Sequence, residues 1–332
     1  MHFSSKSAIK TPIFPQNIKD ICIYGKFLLI LSRKIFKHMS KFTQYIKRTL
    51  RYIFHGVPVV INRVEPKIAV LSKNELLTGR TALITGGTSG IGMAIAKAFI
   101  EAGAFVVITS RSKNRVDAVV KTLCEDLKCE GKILGLELDN TQIGTNDSII
   151  TNILASIPNG TIDILVNNAG IGGGEIATTS VEEYDNVMDT NLKGMFFLSR
   201  EIARHMIQNC IQGNILNIAS SSSVRPATSA YMLSKWGVRG LTEGLARMLV
   251  KHNIVVNAIA PGPTATPMIG ADSENIYRGE SLIRRCVTTE EIAQMSVMLV
   301  SDSCRSIIGD VIYMTGGSGN IDNSDFNYDF KI

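Results

Sequence analysis

The stretch TALITGGTSGIGMAIAKAFIEAG, residues 81–103, decides the fold. Its opening, TALITG, is a short apolar run suited to a buried strand, and it passes without a linker into a glycine-rich turn. Gly86, Gly90 and Gly92 give the spacing T-G-x-x-x-G-x-G. Beyond them Ile91, Ile95, Ala98 and Phe99 recur at three and four, the period of a helix. A strand turning on glycines into a helix lets backbone come close to a ligand. It also aims free N–H groups and the positive end of the helix dipole at a phosphate. Tight turns use glycine everywhere, so it is the strand before and the helix after that make this triplet informative.

Outward from that unit, short apolar runs alternate with longer helical patterns, the βαβ rhythm of a parallel sheet covered on both faces. The runs are Thr81–Ile84, Phe105–Thr109, Ile133–Leu138, Ile162–Val166, Asn214–Ile218, Ile254–Ile259 and Val311–Met314, with a last helix at Glu290–Leu299. They predict an α/β fold: a Rossmann-like, doubly wound parallel sheet of about seven strands in a single domain. The expected boundaries are a catalytic domain over residues 77–319, a C-terminal tail over 320–332, and a basic N-terminal extension over 1–76, partly helical or disordered.

Charge divides the chain in the same place. Residues 1–55 hold eleven Lys or Arg against the single acid Asp20, so the net +6 of the whole is a leader of +10 on a body of −4. A mildly acidic body argues against a nucleic-acid groove across the folded domain. The six cysteines are scattered, none in C-x-x-C spacing, which argues against a zinc or redox site and for a reduced, cytoplasmic setting; no metal is expected. In the leader, Ile21–Leu31 is apolar but broken by Lys26 and too short to span a bilayer, while 41–54 carries basic and apolar residues at helical spacing. Three readings stand side by side: contact with an anionic membrane surface, a solvated arm, or translation beginning at Met39.

The glycine spacing resembles that of the short-chain dehydrogenase/reductase family, in the branch with T-G-x-x-x-G-x-G and Y-x-x-x-K motifs, and further motifs follow in the family's order. The resemblance implies a nicotinamide cofactor bound by Thr85, Gly86, Ser89, Gly90, Ile91 and Gly92 at the turn. After the third strand Asp139 and Asn140 match the pair that meets the adenine. Asn168, Ala169 and Gly170 belong to the N-N-A-G floor, and Gly172, Gly173 and Gly174 follow it. Pro261, Gly262, Thr264 and Thr266 stand where the nicotinamide is held, an orientation that in the family delivers the pro-S hydride. The second strand ends in Ser110 and Arg111, with Arg115 one turn on and no acid beside them. An acid there would bind a ribose 2′-OH, whereas arginine's fork suits a 2′-phosphate, so NADP(H) is favoured. NAD(H) stays open, because Ser89 stands where some NADP-binding members carry a base, and Arg111 can be read as a surface loop residue.

The segment NILNIASSSSVRPATSAYMLSKWGVRG carries the chemistry. Tyr231 and Lys235 are four apart in a helical pattern and so share a face. A nearby ammonium is expected to favour the phenolate and fit Tyr231 for general acid and base work, with Lys235 also reaching the nicotinamide ribose. Ser220, three residues after Asn217, matches the family's substrate-orienting serine. Its gap to Tyr231 is eleven where the family more often has about thirteen, so Ser222 within the run Ser220–Ser223 is the second candidate. Asn191 in MDTNLKG resembles the fourth member of the tetrad; the alternative is an asparagine that merely bends its helix.

The implied activity is hydride transfer between nicotinamide and a small-molecule carbonyl or secondary alcohol. The alternatives are an NAD(H)-dependent alcohol dehydrogenase of the same fold and a non-catalytic nucleotide-binding regulator. The resemblance also implies a homo-oligomer, tetramer or dimer, through the helices bearing Asn191 and Tyr231. Met268–Arg284 is the expected substrate lid, and Arg278, Arg284 and Arg285 leave an anionic substrate open.

Overall fold

The computed structural model describes residues 75–142, 146–269, 275–279 and 281–318. The readings of the basic leader and of the tail lie outside these residues. The seven strands are β1 (Thr81–Ile84), β2 (Phe105–Ser110), β3 (Ile133–Glu137), β4 (Ile164–Asn167), β5 (Asn214–Ile218), β6 (Val255–Pro261) and β7 (Val311–Met314). The α-helices are α1 (Gly90–Glu101), α2 (Lys113–Leu127), α3 (Asn146–Ser156), α4 (Val181–Met188), α5 (Gly194–Gln208), α6 (Ala230–Leu249) and α7 (Thr289–Val300). All strand pairs are parallel, in the order β3-β2-β1-β4-β5-β6-β7.

Alternation along each strand assigns the helices to faces. Ala82 and Ile84 of β1, Val106 and Ile108 of β2 and Leu216 of β5 share a core with Ile95 and Phe99 of α1, Val116 of α2 and Ile292 and Val297 of α7. Leu83, Val107 and Ile215 point the other way, onto Ile153 of α3, Leu198 and Ile202 of α5 and Leu249 of α6. Covered on both sides, β1, β4, β5 and β6 are buried along their whole length, which is why their sequences read as continuous apolar runs. Among the described residues Phe99 is the largest side chain buried without remainder, worth roughly 2–3 kcal/mol of apolar transfer.

Helix starts follow local chemistry. Ser112, Ser180 and Ser229 accept from the backbone N–H groups of Arg115, Glu183 and Met232, and Thr288 forms a full capping box with Glu291. The start of α1 differs: Ser89 makes no side-chain cap, and its first turn holds no acid. Among the described residues no helix is long and apolar enough to cross a membrane, and no group of three or more His, Cys, Asp or Glu could hold a metal.

Candidate active site

β1 lies between β2 and β4, so the chain leaves it in one direction and returns on its other side; the crevice at such a reversal lies at the C-terminal strand ends. There the ends of β1, β2, β4, β5 and β6 open on a cleft of about 350 Å³.

One half of the cleft is built largely from backbone. Gly86, Ser89, Gly90 and Ile91 line it at the uncapped start of α1, whose unpaired N–H groups are the features an anion needs. Gly92 stands just behind: a Cβ there would meet Asn168 Nδ2 at 2.4 Å and the Gly86 carbonyl at 2.5 Å, so no other residue lets turn and floor approach so closely. Thr85 is also behind the wall. Its Oγ1 accepts from the backbone N–H of Asn168 and of Ala169 at 3.0 and 3.1 Å, and Asn168 Nδ2 donates to the carbonyls of Thr85 and Gly86. Ser110, Arg111 and Arg115 line the end of this half. Asp139 is the one acid among the described lining residues, and its Oδ1 accepts from both Thr141 N and Thr141 Oγ1. Glu137, paired in register with Ser110, is exposed and outside the cleft wall.

The other half is built from buried side chains. Asn191 sits in a π-helical turn, Asp189–Lys193, between α4 and α5. Fully buried, it accepts from Ile171 N at 2.8 Å, donates to the Ile171 carbonyl at 2.9 Å, and donates to Ser234 Oγ at 3.1 Å. Asn191 therefore stands behind the wall and ties the floor loop to α6. Ser234 Oγ in turn donates to the Tyr231 carbonyl at 2.7 Å.

Ser220, Tyr231 and Lys235 all reach the cleft. Of the serine run Ser220–Ser223, Ser220 alone lines the cleft. Ser220 caps the 3₁₀ turn Ser221–Val224, accepting at Oγ from Ser222 N at 3.1 Å, while Ser223 Oγ donates to the Ser220 carbonyl at 2.7 Å. Ser222 does not line the cleft. Lys235 Nζ donates to the Ile218 carbonyl at 2.8 Å and lies 5.7 Å from the centre of the Tyr231 ring.

Electrostatically the pair differs from expectation. Burial raises Tyr231 above its usual 10, with hydrogen bonding to Ser220 pulling the other way. Burial also lowers Lys235 from 10.5 to about 8. Desolvation, which penalises charge on either group, outweighs the expected stabilisation of phenolate by ammonium.

Pro261, Gly262, Thr264 and Thr266 line the cleft beyond β6, as do Asn140, Asn168, Ala169 and Gly170 at the floor. The sequence reading missed Thr88, Leu138, Ile171 and Thr190 in the wall. Thr190 is buried and its Oγ1 has no partner among the described residues. Its adjacency to Asn191 was the available signal, but a π turn rotates neighbours off the 3.6-residue period. Part of the expected lid lies outside the described residues, although Met268 does line the cleft. Arg285 is not free to meet an anionic substrate: its guanidinium donates to both carboxylate oxygens of Glu291, at 2.9 and 2.7 Å.

These features fit a dinucleotide. An uncapped helix start suits the pyrophosphate, the Thr190 hydroxyl lacks a partner, and Lys235, with one acceptor for three ammonium protons, has donors to spare.

A family model described as short chain dehydrogenase matches residues 80–276. The chain is 36% identical over 248 residues to a 3-oxoacyl-(acyl-carrier-protein) reductase of Thermotoga maritima, covering 73% of this chain and 98% of that one. Among solved structures, an actinorhodin polyketide ketoreductase with NADPH superposes with a TM-score of 0.66 at 28% identity, covering 73% of this chain and 97% of that one. A 3-ketoacyl-(acyl-carrier-protein) reductase from Brucella melitensis complexed with NADH does so with a TM-score of 0.66 at 29% identity, covering 73% and 99%.

Proposed function

Because the chain belongs to the short-chain dehydrogenase family and is an oxidoreductase of carbonyl and CH–OH groups, we propose that it uses NADP(H), with Tyr231 as its general acid and base. The observation that carries this reading is the half-buried Tyr231 beside the buried Lys235 at one end of a cleft whose other end presents Arg111 and Arg115.

Bound NADP(H) supplies or accepts the hydride. The protein's own groups manage the oxygen and its proton. In reduction the Tyr231 phenol, held neutral by burial, gives its proton to the substrate oxygen; in oxidation it takes that proton back. With one lone pair of Ser220 Oγ engaged by Ser222 N, its hydroxyl proton is free to turn toward the same oxygen and stabilise charge developing there. Lys235 spends one donor on the Ile218 carbonyl, and its remaining donors would hold the cofactor ribose. Asn191 acts through Ile171 and Ser234, holding floor and helix in register. Gly86, Ser89, Gly90 and Ile91 would hold the pyrophosphate, Asp139 and Asn140 the adenosine, and Pro261, Gly262, Thr264 and Thr266 the nicotinamide end of the cofactor, all of them lining the cleft.

The cofactor preference rests on the arginines, since relatives of equal similarity carry NADPH in one structure and NADH in the other. Ser89, without the charge of a basic residue at that place, favours the second reading, an NAD(H) enzyme. Exposed Phe196 on α5 and Leu233 and Trp236 on α6 support a homo-oligomer through those two helices.

A panel of ketones, β-keto thioesters and secondary alcohols assayed with NADPH and NADH tests the proposal. Turnover with NADPH at least tenfold more efficient supports it; equal or better use of NADH overturns the cofactor assignment. Tight cofactor binding without turnover of any carbonyl or alcohol favours a regulator.

A further inference from the structure

Between the cofactor floor and α4 runs a strap, residues 172–176, that pairs antiparallel with the segment leading into α6. Ile176 N donates to the Thr228 carbonyl at 3.0 Å, and Glu175 bridges to Ser229. Two further bonds enter the helix itself. Ala230 N donates to the Gly174 carbonyl at 2.8 Å and Tyr231 N to the Gly173 carbonyl at 3.3 Å. The first N–H groups of any helix lack intrahelical acceptors, and here two of them, one belonging to Tyr231, are satisfied from outside the helix. Ser229 accepts the next two: Met232 N at its Oγ and Leu233 N at its carbonyl.

The strap is itself held from α4. Glu183 is the third residue of that helix, with its N–H on Ser180 Oγ, the position from which a capping glutamate would return to the N-cap backbone. Its carboxylate goes elsewhere: Oε1 accepts from Gly174 N at 2.9 Å and Oε2 from Thr179 Oγ1 at 2.8 Å. The Gly174 N–H is thus anchored to Glu183 while its carbonyl anchors Ala230. Gly174 has φ +78, and a Cβ on it would lie 2.6 Å from that of Ala230, so strap and helix start are in direct contact.

We propose that Glu183 is a positioning residue for Tyr231: it fixes the Gly173–Gly174 strap whose carbonyls set the first turn of α6 and hence the aim of the phenol. This rests on Tyr231 being the acid/base of the proposed function. A loosened strap leaves the cofactor contacts of the other half of the cleft in place and changes the distance over which Tyr231 transfers its proton, to which rate is sensitive.

The test compares Glu183→Ala, Glu183→Gln and the neighbouring Glu182→Ala in the full chain, by steady-state kinetics and by hydrogen exchange of the peptide beginning at Ser229. Glu183→Ala is expected to lower kcat about tenfold with KM for NADPH within about twofold, and to speed exchange at the start of α6 but not at its end. Glu183→Gln keeps a carbonyl acceptor for Gly174 N and is expected to stay within about threefold of the parent on both readouts. Glu182→Ala removes the same charge from the same helix turn and should match the parent. The proposal is overturned if Glu183→Ala matches the parent in both measurements, if kcat and cofactor affinity fall together, or if Glu182→Ala does equal damage. Should the protein catalyse no Tyr231-dependent turnover, the proposed function fails on its own, and the positioning role is withdrawn with it, while exchange still reports whether Glu183 holds the strap.

Discussion

The two ends of the cleft are made of different materials. At the end we assign to adenosine the wall is largely backbone, glycines and an uncapped helix start, with Arg111 just after β2 and Arg115 in the first turn of α2. At the end we assign to catalysis it is a set of polar side chains, the half-buried Tyr231 and the buried Asn191, Ser220, Ser234 and Lys235. Asn191 is bonded to Ser234, while Ser220, Ser234 and Lys235 are tied to backbone at Ser222, Tyr231 and Ile218. The first recognises by shape and by charge that costs little to expose. The second stores unfavourable desolvation, because it keeps an ammonium and a phenol out of water for the sake of chemistry. Changes at the first end should therefore register in cofactor affinity, and changes at the second in kcat and in stability.

The largest expected effect breaks the catalytic end alone. Tyr231→Phe keeps the ring and deletes the proton donor, and should cut kcat about 10³-fold while NADPH affinity, read by fluorescence titration, changes less than about threefold. Retained turnover would remove the mechanism. Next is Gly92→Ala at the adenosine end. With a backbone carbonyl at 2.5 Å from the new Cβ, the turn must shift; we expect about 100-fold weaker cofactor binding and a destabilisation of about 1–3 kcal/mol in urea unfolding. Arg111→Ala should raise KM for NADPH about 10- to 50-fold and leave KM for NADH within about twofold, as loss of a charge-assisted phosphate contact predicts. Equal loss with both cofactors would assign Arg111 to general electrostatics.

The subtlest effect concerns pH. Lys235 titrates at about 8 in the folded protein against 10.5 in an open chain. Between those values the unfolded chain holds a proton that the folded lysine has released, so stability rises with pH across this window, and the penalty is complete below pH 8. Tyr231 has the opposite sign: raised in the fold, it costs stability only above pH 10. Thermal unfolding of the cofactor-free protein should thus move upward from pH 7 to 9.5, by an amount corresponding to about 2 kcal/mol from this lysine alone. Lys235→Met should flatten the profile and stabilise the protein at pH 7 while abolishing most activity.

The same contrast explains what could be read from the sequence. The backbone end is local. A strand, a turn and a helix lie within 81–103, and the predicted strands Thr81–Ile84, Asn214–Ile218 and Val311–Met314 have the limits observed, while the last helix extends one residue beyond Glu290–Leu299 at each end. The catalytic end depends on contacts across long stretches of chain. The Asn191 to Ser234 bond spans 43 residues and the Tyr231 to Gly173 bond spans 58, and neither has a periodic signature. The π turn that puts Thr190 in the wall obeys no 3.6-residue rule, and the pairing of Arg285 with Glu291 required knowing where α7 begins. The direction of the Tyr231 shift needed its burial, which residue spacing does not supply.

The start of α1 has one more implication. Most helices here spend a serine or threonine on their first amides, and this one holds them in reserve. Whatever anion arrives becomes the missing end of the helix and stabilises the fold, so an added cap and the ligand would draw on the same few donors. An acid placed in that first turn, the standard remedy for a weak helix, would act as a built-in competitor. A tougher protein obtained that way would be one that had already filled its own site.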